Sequence, residues 1–174
     1  HKADREAELL SVLRELDGEA GMTPPERKGL ADLKIAYSVK RADIARESGF
    51  LARAFNLLQA PLKDYPDDPR LMTALGRLFL SAGEYTEASE LFSRVLVMKP
   101  ADMEARAGAI QSEVELGHED GARKLADDGL KLADDDPRMH LVAGRMHVLI
   151  GEDGEAMDAF ERALALEEGR SSPE

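Results

Sequence analysis

A period of 34 residues constrains this chain more than any other feature. The stretch from Asp68 to Pro100, DPRLMTALGRLFLSAGEYTEASELFSRVLVMKP, reads as one helix–turn–helix unit. Asp68 is placed to cap the first helix and Pro69 to open it, because the Asp oxygen accepts orphan N–H groups and proline has none to lose. Leu75, Gly76 and Phe79 mark one face of that helix, which is expected to stop at Gly83. The second helix begins near Tyr85 and Thr86, carries Ala88, Leu91, Phe92 and Val95 at helical spacing, and ends at Lys99 and Pro100. Sliding the unit along the chain finds its copies. Asp68 becomes Asp102 and Asp136 as N-caps, and the tetrapeptide DDPR recurs at 67–70 and 135–138. The turn glycine recurs as Gly49, Gly83, Gly117 and Gly151, followed by a small residue where the two helices cross: Ala54, Ala88, Ala122 and Ala156. Two short amphipathic helices cannot close a core alone, so each unit must stack on its neighbours.

This pattern resembles the tetratricopeptide repeat family over Ile35 to Arg170. The match is fullest in the unit above, through Leu75, Gly76, Phe79, Gly83, Tyr85, Ala88, Phe92 and Pro100, and good in the last through Ala143, Gly144, Gly151, Ala156, Phe160 and Ala163. The third unit departs from it: Ile110, Glu113, Ala126 and Gly129 replace the usual glycine, aromatic, aromatic and alanine. In the first, Pro61 falls inside the second helix, where the lost hydrogen bond is expected to kink it at a cost of ~3 kcal/mol unless packing compensates. The resemblance implies an all-α fold, a right-handed α-α superhelix (TPR solenoid) of four helix pairs after an N-terminal helix. The pairs would occupy 35–68, 69–102, 103–136 and 137–170, with 1–34 as a cap and 171–174 as a disordered tail.

In chain order, the pattern predicts a helix from Ala3 to Leu16, with Leu9, Leu10, Leu13 and Leu16 on one side, stopped by Asp17 and Gly18. Thr23-Pro24-Pro25-Glu26 reads as a capping box. The helix it opens is expected to run to Ser48, because Lys34 stands where later units place a capping Asp. Its excess, with Leu30 and Leu33, would pack on the N-terminal helix. The remaining helices are placed at Leu51–Asp64, Pro69–Ala82, Tyr85–Met98, Met103–Leu116, Asp120–Ala133, Pro137–Ile150 and Gly154–Glu167, with a polar, frayed end from Glu168 to Glu174.

Composition narrows function. A net charge of −12 would repel nucleic acid and anionic membrane alike. There is no cysteine, hence neither disulfide framework nor thiolate site. No run approaches the roughly 18 apolar residues of a membrane span. The opening His1-Lys2-Ala3-Asp4-Arg5 is no signal peptide, so any targeting segment is expected upstream. No catalytic, cofactor or metal site is expected either. His140 and His147 share a helix face but lie ~10 Å apart along its axis, too far to share a metal easily, and read as semi-buried packing residues. His118 reads as a solvated turn residue. Asp134, Asp135 and Asp136 lack a glycine-bearing calcium loop, and Asp136 already caps a helix.

A narrower resemblance covers Leu30 to Pro100. The Arg41-Ala42-Asp43 helix leading to Gly49, the phrase from Leu57 to Pro69 with its in-helix proline, and the following LGRLFLSAGEY resemble the periplasmic repeat region of the BcsC-like proteins of bacterial cellulose synthesis and export. That resemblance implies a non-catalytic protein–protein interaction scaffold in the periplasm, part of a cellulose or exopolysaccharide export system. The alternative is a cytosolic adaptor, cytoplasmic and unrelated to polysaccharide. A glycan track would need aromatic platforms, yet there is no Trp, and Phe79, Phe92 and Phe160 occupy packing positions.

Tetratricopeptide grooves hold protein segments on the second, fifth, ninth, twelfth and thirteenth positions of each first helix. By resemblance the lining is Arg70, Thr73, Arg77, Leu80 and Ser81; Glu104, Ala107, Gln111, Val114 and Glu115; and Arg138, Leu141, Arg145, Val148 and Leu149. Arg77, Gln111 and Arg145 share the ninth position and are expected to align as a polar stripe. The two arginines either grip carboxylates of a partner segment beside an apolar anchor on Leu141 and Val148, or pair with Glu104, Glu115 or other neighbours. At the C-terminal edge, Met157, Phe160, Leu164 and Leu166 are expected to need cover from further repeats or from self-association.

Overall fold

A computed structural model of the chain describes residues 21–171 together with Glu8, Ser11, Val12, Glu15 and Leu16. The helix expected over Ala3–Leu16 therefore lies mostly outside the described residues; the five described there are helical. Eight further helices follow: α1 Pro24–Glu47, α2 Leu51–Asp64, α3 Pro69–Ala82, α4 Tyr85–Met98, α5 Met103–Glu115, α6 Glu119–Leu132, α7 Pro137–Leu149 and α8 Asp153–Ser171. Among the described residues there is no strand.

Local chemistry sets these boundaries. At the start of α1 the Glu26 carboxylate accepts from the Thr23 backbone N–H at 2.7 Å and from its hydroxyl at 2.7 Å, closing the capping box. The three periodic aspartates all cap. Asp68 accepts from the N–H of Arg70 at 2.9 Å, Asp102 from Ala105 at 3.0 Å and Asp136 from Arg138 at 3.0 Å. Each first helix ends in a glycine of positive φ, between 76° and 79°, a conformation an L side chain resists. The following residue then donates back across the turn: Phe50 to Ala45, Glu84 to Phe79, His118 to Glu113 and Glu152 to His147, at 2.8 to 2.9 Å. This left-handed closure satisfies carbonyls that the helix end would orphan.

Two compact units divide the chain, residues 1–71 and 72–174. The first holds α1, α2 and the opening of α3, with Ile35, Ala42, Ala45, Ala54, Leu58 and Leu71 buried. Pro61 lies inside α2, which nevertheless continues to Asp64, and its carbonyl accepts from the Tyr65 N–H at 2.8 Å.

In the second unit, Phe92 shows how successive pairs stack. Its ring is fully buried against two glycines, Gly76 on α3 and Gly108 on α5. A β-carbon at Gly76 would fall 2.8 Å from the ring, and one at Gly108 closer still. The third pair inverts these sizes. One period after Phe92 stands Ala126, and one period after Gly76 and Gly108 stand Ile110 and Val142; all three lie in one buried cluster with Ala122, Met139, Ala143 and Met146. Bulk lost from the second helix is regained on the first helices, which keeps the interior filled. Gly129 belongs to the same adjustment, since a β-carbon there would meet the Arg106 stem and the Met139 sulfur, each at 2.5 Å. The buried Arg106 guanidinium is satisfied by the carbonyls of Leu125 at 2.7 Å and Pro100 at 2.6 Å.

The end of the chain corrects one expectation. Glu168 to Ser171 are not frayed but continue α8 past Glu167. The Arg170 guanidinium donates to the Asp135 carbonyl at 2.9 Å, tying the last turn to the loop before α7. Residues 172–174 lie outside the described residues.

Candidate partner-binding cleft

The repeat period brings the ninth positions of three first helices to one place. α3 contributes Arg77 and Leu80, α5 contributes Glu104, Ala107 and Gln111, and α7 contributes Arg145 and Leu149, around a cleft of about 250 Å³. Its floor is apolar: Phe92, Gly108, Ile110, Val142 and Met146. Gln111 and Arg145 are exposed, whereas the Arg77 side chain retains 20% of its exposure.

The two arginines differ in state. Arg77 Nη1 donates to Glu104 Oε1, so its charge is matched by the neighbouring first helix. This is the neighbour pairing that the sequence left open as one of two outcomes. Arg145 has neither a hydrogen bond nor an ion pair among the described residues. A guanidinium is never deprotonated at physiological pH, so Arg145 presents a permanent, planar set of donors above an apolar floor.

Other expected groove residues lie elsewhere. Arg70 belongs to the first unit and is held by Asp68 at 2.7 Å and Asp32 at 2.8 Å. Thr73 is buried, and exposed Ser81 donates to the Arg77 carbonyl at 3.0 Å. Val114 packs, half-buried, on the cluster around Val142, and Glu115 is exposed. Arg138 is engaged by Asp136 at 2.6 Å; that side-chain bond, with the Arg138 N–H and charge, draws the Asp136 carboxyl down to about 2. Leu141 and Val148 are exposed but stand outside the cleft, whose apolar wall is Leu80 and Leu149 instead. The floor residues Val142 and Met146 were not among the expected positions. Their signal was present in the third unit, where Ile110 replaces a glycine and so changes what lies beneath the ninth position.

His118, His140 and His147 each meet a polar group of a neighbouring segment. His140 Nε2 lies 2.8 Å from the Asp134 carbonyl and His147 Nδ1 lies 2.7 Å from Glu152 Oε2, both rings half-buried. Glu152 also accepts from Arg123 at 2.7 Å, and these two partners, Arg123 first, hold its carboxyl below the usual range. Exposed His118 has Nδ1 3.2 Å from Glu113 Oε2.

Two tetratricopeptide repeat family models match the chain, over residues 79–145 and 39–103, and together they span well over half of it. The chain belongs to the tetratricopeptide repeat family. It is similar to cellulose synthase operon protein C of Pseudomonas fluorescens (strain SBW25), 28% identical over 166 residues that make up 95% of this chain and 13% of that protein. It is also similar to cellulose synthase operon protein C of Komagataeibacter xylinus, 32% identical over 127 residues, 71% of this chain and 10% of that protein. The chain thus spans roughly a tenth of the length of these curated relatives. Among solved structures, MamA MSR-1 aligns with a TM-score of 0.59 at 26% identity, covering 98% of this chain and 91% of that one. A thermophilic TPR protein in Thermus thermophilus aligns with a TM-score of 0.66 at 22% identity, covering 77% and 75%, and shares the fold. No helix among the described residues is long and apolar enough to cross a membrane.

Proposed function

We propose that this chain is a non-catalytic scaffold whose cleft between α3, α5 and α7 holds a segment of another protein. The observation that carries the reading is Arg145, an arginine without a protein partner standing over an apolar floor. A carboxylate of the incoming segment takes two parallel N–H bonds from it, and an adjacent apolar side chain enters between Leu80 and Leu149. Gln111, one period before Arg145, supplies both a donor and an acceptor for the segment's backbone. Because Glu104 already matches Arg77, the site grips one carboxylate rather than two.

The setting we infer is the periplasm, within a cellulose or exopolysaccharide synthesis and export system. The support is the likeness to two proteins named cellulose synthase operon protein C. A scaffold suits this chain better than a direct polymer track. Tryptophan is absent and Phe92, the aromatic residue lining the cleft, is fully enclosed, so the cleft offers no ring face to a sugar.

A library of displayed peptides, selected on the chain and on variants, tests the cleft. Selection is expected to enrich an acidic residue next to an apolar one, with Arg145→Ala weakening the selected peptide by about tenfold or more, the scale of a charge-assisted bond. The convex substitution Lys131→Ala, at a side chain that is 74% exposed, is expected to leave affinity unchanged. If Arg145→Ala binds the same peptides equally well while remaining folded, the site is elsewhere.

A further inference from the structure

The enclosure of Phe92 has an inner half and an outer half. Gly76, from the first helix of its own pair, gives the inner face; Gly108, the sixth residue of the next first helix, gives the outer one. Two periods later the inner half is repeated. A β-carbon on Gly144 would fall 2.5 Å from the Phe160 ring, the counterpart of the approach of Gly76 to Phe92. The outer half is open. Phe160 is only half-buried, and on the same helix Met157 is 60% and Leu164 61% exposed.

The preceding pair shows what such a face is made to meet. Val114 and Leu130 pack against the cluster that includes Met139, Val142 and Met146 of α7. Their counterparts one period on are Val148 and Leu164, apolar at the same register, and Val148 is 53% exposed. Where the third pair has Arg123, bonded to Glu152 of the pair that follows, the fourth has Met157. This face has therefore kept or increased its apolar character while having no helix against it among the described residues.

We propose that the face formed by α7 and α8 docks the first helix of another helix–turn–helix unit, one that carries glycine at its sixth helical position, over Phe160. The requirement is steric. A β-carbon at Gly108 falls against the ring of Phe92, and any side chain at the matching position would fall against Phe160. The same requirement argues against head-to-tail association through α1 of a second copy. Two periods before Gly108 that helix carries Lys40, exposed and far too large for the position. The occupant is thus an amphipathic helix with the chemistry of α5: glycine opposite the ring, and small or aliphatic residues one turn to either side of it. The proposal rests on the Phe160 face and not on the reading of Arg145, beside which a docked helix with the second-position glutamate of α5 would set a carboxylate as Glu104 does beside Arg77.

The test extends the full chain in register, replacing residues 170–174 with a copy of its own residues 102–136, so that the copied Gly108 falls over Phe160. A chain ending at Gly169 is the reference. The extension is expected to raise the unfolding midpoint by about 5 °C and to slow amide exchange in α8 by about tenfold. The same extension with Gly108→Leu in the copied unit is expected to give neither gain. Leu164→Glu, at an exposed position, is expected to leave the reference midpoint unchanged and to abolish the gain of the glycine-bearing extension. Equal gains from the glycine and leucine extensions, or no gain from the glycine extension, would overturn the proposal.

Discussion

Phe92 makes the same substitution destabilising at one glycine that is stabilising at another. At Gly108 an added β-carbon meets a ring that is fully buried and cannot retreat, so Gly108→Ala must shift a first helix or the ring. Overpacking of this kind costs ~1–3 kcal/mol, and the better helix propensity of alanine returns at most ~1 kcal/mol of it. Gly154, near the start of α8, has nothing within 4 Å of a β-carbon, so there Gly154→Ala is expected to stabilise by a few tenths to ~1 kcal/mol. Urea unfolding of the two variants should move the midpoint in opposite directions. Asp136 gives a residue-scale prediction of another kind. Its carboxyl, engaged by the Arg138 side chain and N–H, is held at about 2 against an ordinary value of 3.8. The unfolded chain therefore takes up this proton first. The contribution is fully present above the ordinary value and is lost as pH falls through about 2. Unfolding midpoints measured from pH 5 to pH 2 should decline, and Asp136→Asn should remove part of that decline.

At the scale of the helix pair, most boundaries were legible in the sequence, because caps and turn glycines act within a few residues of themselves. Asp68, Asp102 and Asp136 cap where their period put them, and Gly49, Gly83, Gly117 and Gly151 all take the left-handed conformation. What the sequence hid was compensation at a distance. Ala126 looked like a missing aromatic, and only the packing shows that Ile110 and Val142 fill its place from two different helices. The continuation of α8 was hidden for the same reason, since the contact that holds Arg170 is the carbonyl of Asp135, 35 residues away. The compensation is measurable as coupling. Ile110→Gly alone should destabilise by several kcal/mol through a cavity and the loss of helix propensity, and Ala126→Phe alone by ~1–3 kcal/mol or more through overpacking. Combined, the two should cost less than their sum by ~1 kcal/mol or more, because the ring then has the space that the isoleucine vacates. Strict additivity would mean that the two sites do not share a volume. For the cleft, periodicity identified the shared position of Arg77, Gln111 and Arg145 but could not say which arginine keeps a free charge. That depended on whether the next first helix brings a carboxylate within reach, and Glu104 does so only for Arg77.

For the whole molecule, charge is the dominant long-range term. Acidic residues outnumber Lys and Arg by 35 to 23, leaving −12 spread over helices that a repeat array exposes on several sides. Local ion pairs oppose this, but the ones on the surface are weak: Lys131 with Asp128 at 3.3 Å and Arg123 with Asp120 at 3.3 Å both involve exposed partners. Salt screens attraction and repulsion alike, so the sign of its effect depends on which is larger. Exposed pairs contribute ~0–1 kcal/mol each and lose only part of that, while the net repulsion acts between every excess carboxylate within a screening length. Raising ionic strength from about 0.01 M to about 0.15 M shortens that length from ~30 Å to ~8 Å, less than the separation of most non-adjacent charges. The folded chain should therefore gain stability with salt, with a thermal midpoint that rises over this range and then flattens. Sodium chloride and potassium chloride should act alike, because screening depends on ionic strength and not on a bound ion. A midpoint that falls with either salt would show that the ion pairs, and not the net charge, govern the electrostatics of the array.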